Sequence, residues 1–375
     1  MNYPVKWFSS HDAAGTAVAG APALSGTAGS LIALIDACSA GYCAVTLSAL
    51  TVSAGTATAT VNTGHPYLDQ QIIEISGAGA ALDGQHRVTR VSATTFAWAT
   101  AAADGTLSGA ITAKVAGLGG WAKIYTAGNS AMYRSSSVLG RQFTYLIDDS
   151  AGTTAVLRGY RAATAIDAGA SPFPGSDTVR IAKSSGGDVR WVVVADEHTI
   201  YVACGTSASI SRMRLHMFGD LGRLALTDGY CSAVAGFGVA SQDESFAVLH
   251  SARRLTDSVV TIGYPSGWSG ESSIDAGAVV SDGVAVWTPG YGFGPPYPAP
   301  SGGALVIPLH AAHGGAPRGR CRGLYGLLHA SGYPSAGLVD IGGVLAVLIT
   351  GYVSDASSVK RAGALAIAIS DWEAP

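Results

Sequence analysis

Residues able to do chemistry gather at a few places along the chain. The stretch GHPYLDQQIIEISGAGAALDGQH holds His65 and His86 together with the carboxylates Asp69, Glu74 and Asp83. Those residue types could ligate a metal or exchange a proton. Asp196-Glu197-His198 is the densest titratable cluster. It has two readings: an acid/base or metal site at a strand end, or charge solvated at the tip of a hairpin. The hairpin tip is favoured, because nothing nearby in sequence supplies a partner. His310 and His313 form an HxxH pair that could meet on a helix. The Gly314-Gly315 pair and Pro317 favour a loop instead, and two ligands fall short of a structural zinc site.

Other signatures of catalysis do not form. No GxSxG elbow occurs; GYPSGWSG comes nearest and lacks the spacing. Neither a phosphate-binding GxxxxGK[ST] nor an HExxH zinc motif is present. Asp148, Asp149, Asp167, Asp196, Asp275 and Asp340 could each contribute to a carboxylate pair for glycoside hydrolysis, and none stands out. Two stretches suit contact rather than chemistry. Trp268, Trp287, Tyr291, Phe293 and Tyr297 are separated by Gly and Pro, so their rings could stack on sugars or anchor a protein interface. Ordinary strand core for Trp287 and loop packing for the others is the alternative. RGRCRGLYGLLH concentrates Arg318, Arg320 and Arg322, which suits an acidic partner or, better, a salt bridge between subunits.

The elements that must position these residues are almost all strands. One helix is expected over Thr27 to Gly41, where Leu31, Leu34, Ile35 and Cys38 recur at helical spacing. Thr27 would cap its start and Gly41 would end it. From Leu47 to Val115, six short strand candidates follow one another: LSALTV, TATATV, QIIEIS, HRVTRV, TFAWA and GAITAKV. Asp83-Gly84 supplies a tight turn. His65 would begin a strand, and Glu74 would point outward between Ile73 and Ile75. Two hairpins, RQFTYLIDDSAGTTAVLRGY and VRWVVVADEHTIYVACG, follow. The expected organisation is a discontinuous body domain (1–43 plus 116–208), an inserted β module (44–115) and a C-terminal β-rich domain (209–375). The fold class is mainly β, an α+β body with one clear N-terminal helix and an inserted small β-sandwich.

Composition narrows the function classes. Charged residues are 13% and the net charge is −3, with no Lys/Arg run. A nucleic-acid surface needs a clustered basic footprint, so no nucleic acid is expected as a partner. Ile341 to Val353 is the longest apolar stretch and is too short for a span of roughly 20 residues. It reads as one or two buried strands, and no membrane insertion is expected. Five cysteines without a CxxC are expected to be small buried thiols made in a reducing cytoplasm. Gly numbers 50 of 375, about twice the ordinary share, among much Ala, Thr and Val. A surface so poor in charge suits a subunit covered by neighbours better than a free monomer. MNYPVKWFSS shows no secretory signal.

Several of these segments resemble one family. SGTAGSLIALIDACSAGY, GWAKIYTAGNSAMYRS, YLIDDSAGTTAVLRGY, AIDAGASPFP, WVVVADEHTIYV and RGRCRGLYGLLH are similar to virion structural proteins, tail- or baseplate-associated, of tailed phages of Gram-negative bacteria. The match covers most of residues 1–205 and patches beyond. The inserted block resembles an Ig-like phage module, on Gly64-His65, ISGA at Ile75 to Ala78, LDG at Leu82 to Gly84 and TTF at Thr94 to Phe96. Asp83 stands where Asn is common in that module, which leaves the turn intact.

The resemblance implies a non-enzymatic subunit of the virion tail, synthesised in the host cytoplasm, with no cofactor and no metal. Its partners would be other tail or baseplate proteins and symmetric copies of itself. Contact with a host-surface glycan, through the module or the Trp268 to Tyr297 loop, is the alternative function. A polysaccharide-degrading enzyme using Asp196 and His198 is the weakest.

Overall fold

The computed structural model describes residues 3–173, 179–183, 185–205, 210, 213–222, 232–237, 260–263, 306–313, 316–327, 335–341, 343–354, 360–370 and 372. The protein is mainly β, with antiparallel strands in several sheets and one α-helix among the described residues.

The largest sheet carries the strands Lys6–Ser9, Trp191–Ala195, Thr199–Gly205, Met213–Asp220, Ser232–Phe237, Val179–Ala182, Thr154–Ala165, Thr144–Asp148, Ser130–Ser135 and Trp121–Ala127, in that spatial order. Ala168–Phe173 pairs off this path with Thr154–Ala165, and Val260–Gly263 with Ser232–Phe237. Hydrogen bonding runs through the division expected between residues 208 and 209, because Thr199–Gly205 pairs along its length with Met213–Asp220. The WVVVA run is apolar throughout because both of its faces are covered. Trp191, Val193 and Ala195 enter one core with the helix. Val192 and Val194 enter another, with Leu324, Val347, Ile349, Leu365 and Ile367 of a five-stranded C-terminal sheet. In the preceding hairpin Tyr145 and Ile147 join the first core while Leu146 faces the opposite side, as period-2 alternation requires.

The helix spans Ser30–Ala40 and buries Leu31, Leu34, Ile35 and Cys38, the face expected from spacing. Its start differs from expectation. Gly29, at φ 83°, is the N-cap and no side chain of its own segment caps it. Asp149, distant in sequence, does so: its Oδ2 accepts from Leu31 N at 2.8 Å, satisfying one of the amides a helix leaves free at its start. Thr27 offers its carbonyl instead, to Lys183 Nζ at 2.8 Å. Lys183 also contacts Asp149 Oδ1 directly, and both side chains are fully buried. The acidic group at the helix start is thus itself neutralised by a lysine from another strand.

Residues 41–116 supply two more sheets. One holds Gly41–Thr46, Thr112–Ala116, Ile72–Ser76 and Gly84–Arg87; the other holds Thr89–Arg90, Thr95–Ala99, Thr56–Thr60, Ala49–Ser53 and Gly105–Leu107. HRVTRV is not one strand. The chain leaves the first sheet after Arg87 and joins the second at Thr89, with Val88 wholly buried at the crossing. The residues at the neck pair directly, Ala116 opposite Gly41. Beside the neck, the buried Lys6 donates from Nζ to Gly117 O at 2.8 Å and Leu118 O at 3.1 Å.

Candidate functional site

The titratable groups of the 64–98 stretch serve the module's turns and packing. His65 is not in a strand; its Nδ1 accepts from Tyr67 N at 3.3 Å and its ring stacks on Tyr67 and meets the edge of Phe96. His86 shares a hydrogen bond of 2.8 Å from Nε2 with Leu82 O and stacks on Trp98. Asp83 Oδ1 accepts from Ala78 N at 2.7 Å, and Asp69 Oδ1 from Arg90 N at 3.0 Å. Glu74 lies between the buried Ile73 and Ile75 and reaches Lys114 at 3.4 Å. These groups do not converge on a common point.

Asp196-Glu197-His198 does occupy a hairpin turn, but Asp196 and His198 are buried and have partners, and only Glu197 is partly exposed. Asp196 is buried and meets Arg322 in a two-pronged contact, Oδ2 to Nη2 at 2.7 Å and Oδ1 to Nη1 at 3.1 Å. Its Oδ1 also accepts from His198 N and Thr199 N, each at 2.8 Å, and its carbonyl accepts from Trp121 Nε1 at 2.8 Å. The planar fork of an arginine suits such a contact, and a buried carboxylate requires it. The Arg322 guanidinium lies 5.7 Å from the ring centre of Trp372. Arg322 is therefore an internal residue linking the C-terminal sheet to this hairpin, which corrects its expected role as a contact for another subunit.

A second layer surrounds the turn. His198 is buried, with Nε2 at 3.2 Å from Glu197 Oε1 and 3.5 Å from Ser137 Oγ. Ser137 Oγ donates to Glu197 Oε1 at 2.8 Å. Across the ring, His198 Nδ1 stands 3.8 Å from Asp220 Oδ2, beyond hydrogen-bonding reach, and has no hydrogen-bond partner. Asp220 Oδ2 accepts from Arg141 N at 2.9 Å. Gly140 closes this side so tightly that a β-carbon there would lie 2.7 Å from His198 Nδ1 and 2.9 Å from Asp220 Oδ2. Burial lowers the pKa of His198, against the pull of the neighbouring carboxylates, so the ring is neutral at ordinary pH. Burial pushes the Asp220 carboxyl up to about 6.

Because folding raises the Asp220 pKa from 3.8 to about 6, the folded protein binds that proton more tightly than the unfolded chain. The carboxyl's favourable contribution is complete in acid and disappears as pH rises through about 6. Asp220→Asn removes the charge and keeps an acceptor for Arg141 N. The variant is expected to be more stable than the parent by about 1–3 kcal/mol near pH 8. The difference should close in acid, and urea midpoints across pH measure it.

Sequence reasoning missed Ser137, Arg141 and Asp220. They come from separate segments, and no local motif joins them to residues 196–198. Other expected site residues fall elsewhere. His310 and His313 lie in the strand Val306–His313, not in a loop, with His310 opposite Arg320. Arg318 and Arg320 lie in the strand Ala316–Leu327; Arg320 is half-buried and exchanges backbone hydrogen bonds with Gly222. Trp268, Trp287, Tyr291, Phe293 and Tyr297 lie outside the described residues, as does Cys231. Cys38, Cys204 and Cys321 are buried free thiols and Cys43 is a half-buried one. Among the described residues no three His, Cys, Asp or Glu side chains gather as a metal site, and no helix is long and apolar enough to cross a membrane. The sequence matches no protein-family model and no curated protein.

Proposed function

We propose that the chain is a structural subunit of a phage tail tip or baseplate, built into the virion by contact with other tail proteins and with copies of itself. The observation that carries this reading is the hairpin formed by Thr154–Ala165 and Ala168–Phe173. One side of it is tied to the sheet by Tyr160, by Ala163 and, at its turn, by Ile166, which pack with Met132 and Leu146. Arg161, Ala162, Thr164, Ala165, Gly169, Ala170 and Ser171, on the same two strands, are exposed. A two-stranded ribbon is marginal by itself in water, and one made mostly of small uncharged residues suits close docking on a neighbour. The low charge of the chain and its resemblance to tail proteins support the same reading.

The module of residues 41–116 is, in this reading, Ig-like and displayed on the particle. Its two sheets share a core that includes Leu50, Val52, Ile73, Ile75, Phe96 and Trp98, which is the arrangement of a sandwich.

Replacing residues 161–170 by a two-residue turn tests the assembly role. The trimmed chain is expected to fold, with unchanged circular dichroism, and to be missing from purified particles that contain the parent chain. Parent chain absent from virions by mass spectrometry would overturn the reading.

A further inference from the structure

Three segments distant in sequence deliver a serine, a histidine and an aspartate to one point. Ser137 Oγ is 3.5 Å from His198 Nε2, and His198 Nδ1 is 3.8 Å from Asp220 Oδ2. Serine facing Nε2 and carboxylate facing Nδ1 is the order used in nucleophilic acyl transfer. Both distances are long, as such contacts often are before substrate binds. We propose that Ser137, His198 and Asp220 act as nucleophile, general base and positioning carboxylate in the hydrolysis of esters of small apolar acyl groups.

The surroundings fit those roles. His198 Nδ1 is buried and has no hydrogen-bond partner. Nε2 meets Glu197 Oε1 at 3.2 Å, nearer than Nδ1 meets Asp220, so the resting proton lies on Nε2; the ring becomes a base for the serine in the tautomer with its proton on Nδ1, where it faces the Asp220 carboxylate. Ser137 is half-buried, whereas Val138 and Leu139 beside it are 86% and 69% exposed. They offer an apolar surface against which an acyl chain can lie. Leu139 N donates to Ser137 Oγ at 3.4 Å and holds the serine side chain in this loop. Glu197 is the rival base, since it now accepts the serine's hydrogen bond. Its side chain is 45% exposed, whereas the His198 ring is buried beside the serine.

The serine hydroxyl turns from Glu197 to Nε2 and its oxygen attacks the ester carbonyl, giving its proton to Nε2. The intermediate expels the alcohol, which takes that proton, and leaves the acyl group on Ser137. Water then attacks the acyl-serine, passing a proton to Nε2 that returns to Ser137 as the carboxylic acid departs. Asp220 steadies the ring while it carries the positive charge. Arg141, Asp196, Glu197 and Arg322 are the other charged groups around it. The chemistry stands whether or not the chain belongs to a phage tail.

A fluorophosphonate, which labels only activated serines, tests this on the full chain, with p-nitrophenyl acetate as a second substrate. The expected result is a phosphonyl adduct on the Ser137 peptide, absent in Ser137→Ala. Labelling should slow roughly 100-fold or more in His198→Gln and persist in Glu197→Gln, whose side chain holds the resting hydroxyl but takes no proton from it. The parent rate should be flat through neutral pH and fall only in acid, because the buried ring resists protonation. Asp220→Asn should label more slowly, with the acid limb moved to lower pH, a shift that a purely structural role would not produce. Should His198→Gln fail to fold, the parent's pH profile decides alone: a rate climbing with hydroxide and reaching no plateau overturns the assignment. So does an unlabelled Ser137, or labelling lost in Glu197→Gln and kept in His198→Gln.

Discussion

Lys183→Met is expected to lower the unfolding free energy by about 3–5 kcal/mol at neutral pH, the usual cost of leaving a buried charge without its partner. Asp149 would keep its bond from Leu31 N but lose the Lys183 ammonium beside it. Burial already pushes the Asp149 carboxyl upward with the lysine in place. Without it the carboxyl rises further, so the folded chain prefers the protonated form more strongly. The deficit of Lys183→Met should therefore grow as pH rises and shrink in acid. Urea unfolding followed by circular dichroism at two pH values checks both size and sign. An equal deficit at both values would show that Asp149 is not the residue left exposed to the loss.

Arg322→Met should cost a similar amount, about 3–5 kcal/mol, for the same physical reason. Its consequence is more local, because the arginine stands in the C-terminal sheet while its partners, Asp196 and Thr199, stand in the large one. Amide exchange is expected to quicken in Thr199–Gly205 and Leu345–Ser354 before the Ser30–Ala40 helix responds. The double variant Asp196→Asn/Arg322→Met should recover part of the loss, since no charge then remains buried. Failure to recover anything would mean that the hydrogen bonds from His198 N and Thr199 N to Asp196 matter more than the ion pair.

What could be read from sequence was what local pattern controls. The helix face at Leu31, Leu34, Ile35 and Cys38, the outward Glu74 and the turn at residues 196–198 all follow from spacing within a few residues. The break at Val88 did not, because alternation is the same for a strand that stays in its sheet and one that crosses to the next. Nor did the cap from Asp149 or the pairing of Asp196 with Arg322. Each depends on which distant segments pack together, and a charged residue in a turn looks the same whether its partner is water or an arginine from another sheet. The candidate site suffered most, since its serine, histidine and aspartate come from a loop, a turn and a strand end. Only the histidine stands out by type, and with no partner near it in sequence it looks solvated.

The paired neck at Gly41 and Ala116 has a mechanical meaning. Chain enters and leaves the module side by side, so a pull on the module's far end is shared by two covalent backbones running in the same direction as the load. The module is also held off its neck, by Arg87 Nη2 donating to Ile369 O at 2.6 Å and by Tyr42 against Phe8 and Trp191, so tension reaches the body there as well as at Gly117 and Leu118, which Lys6 clasps.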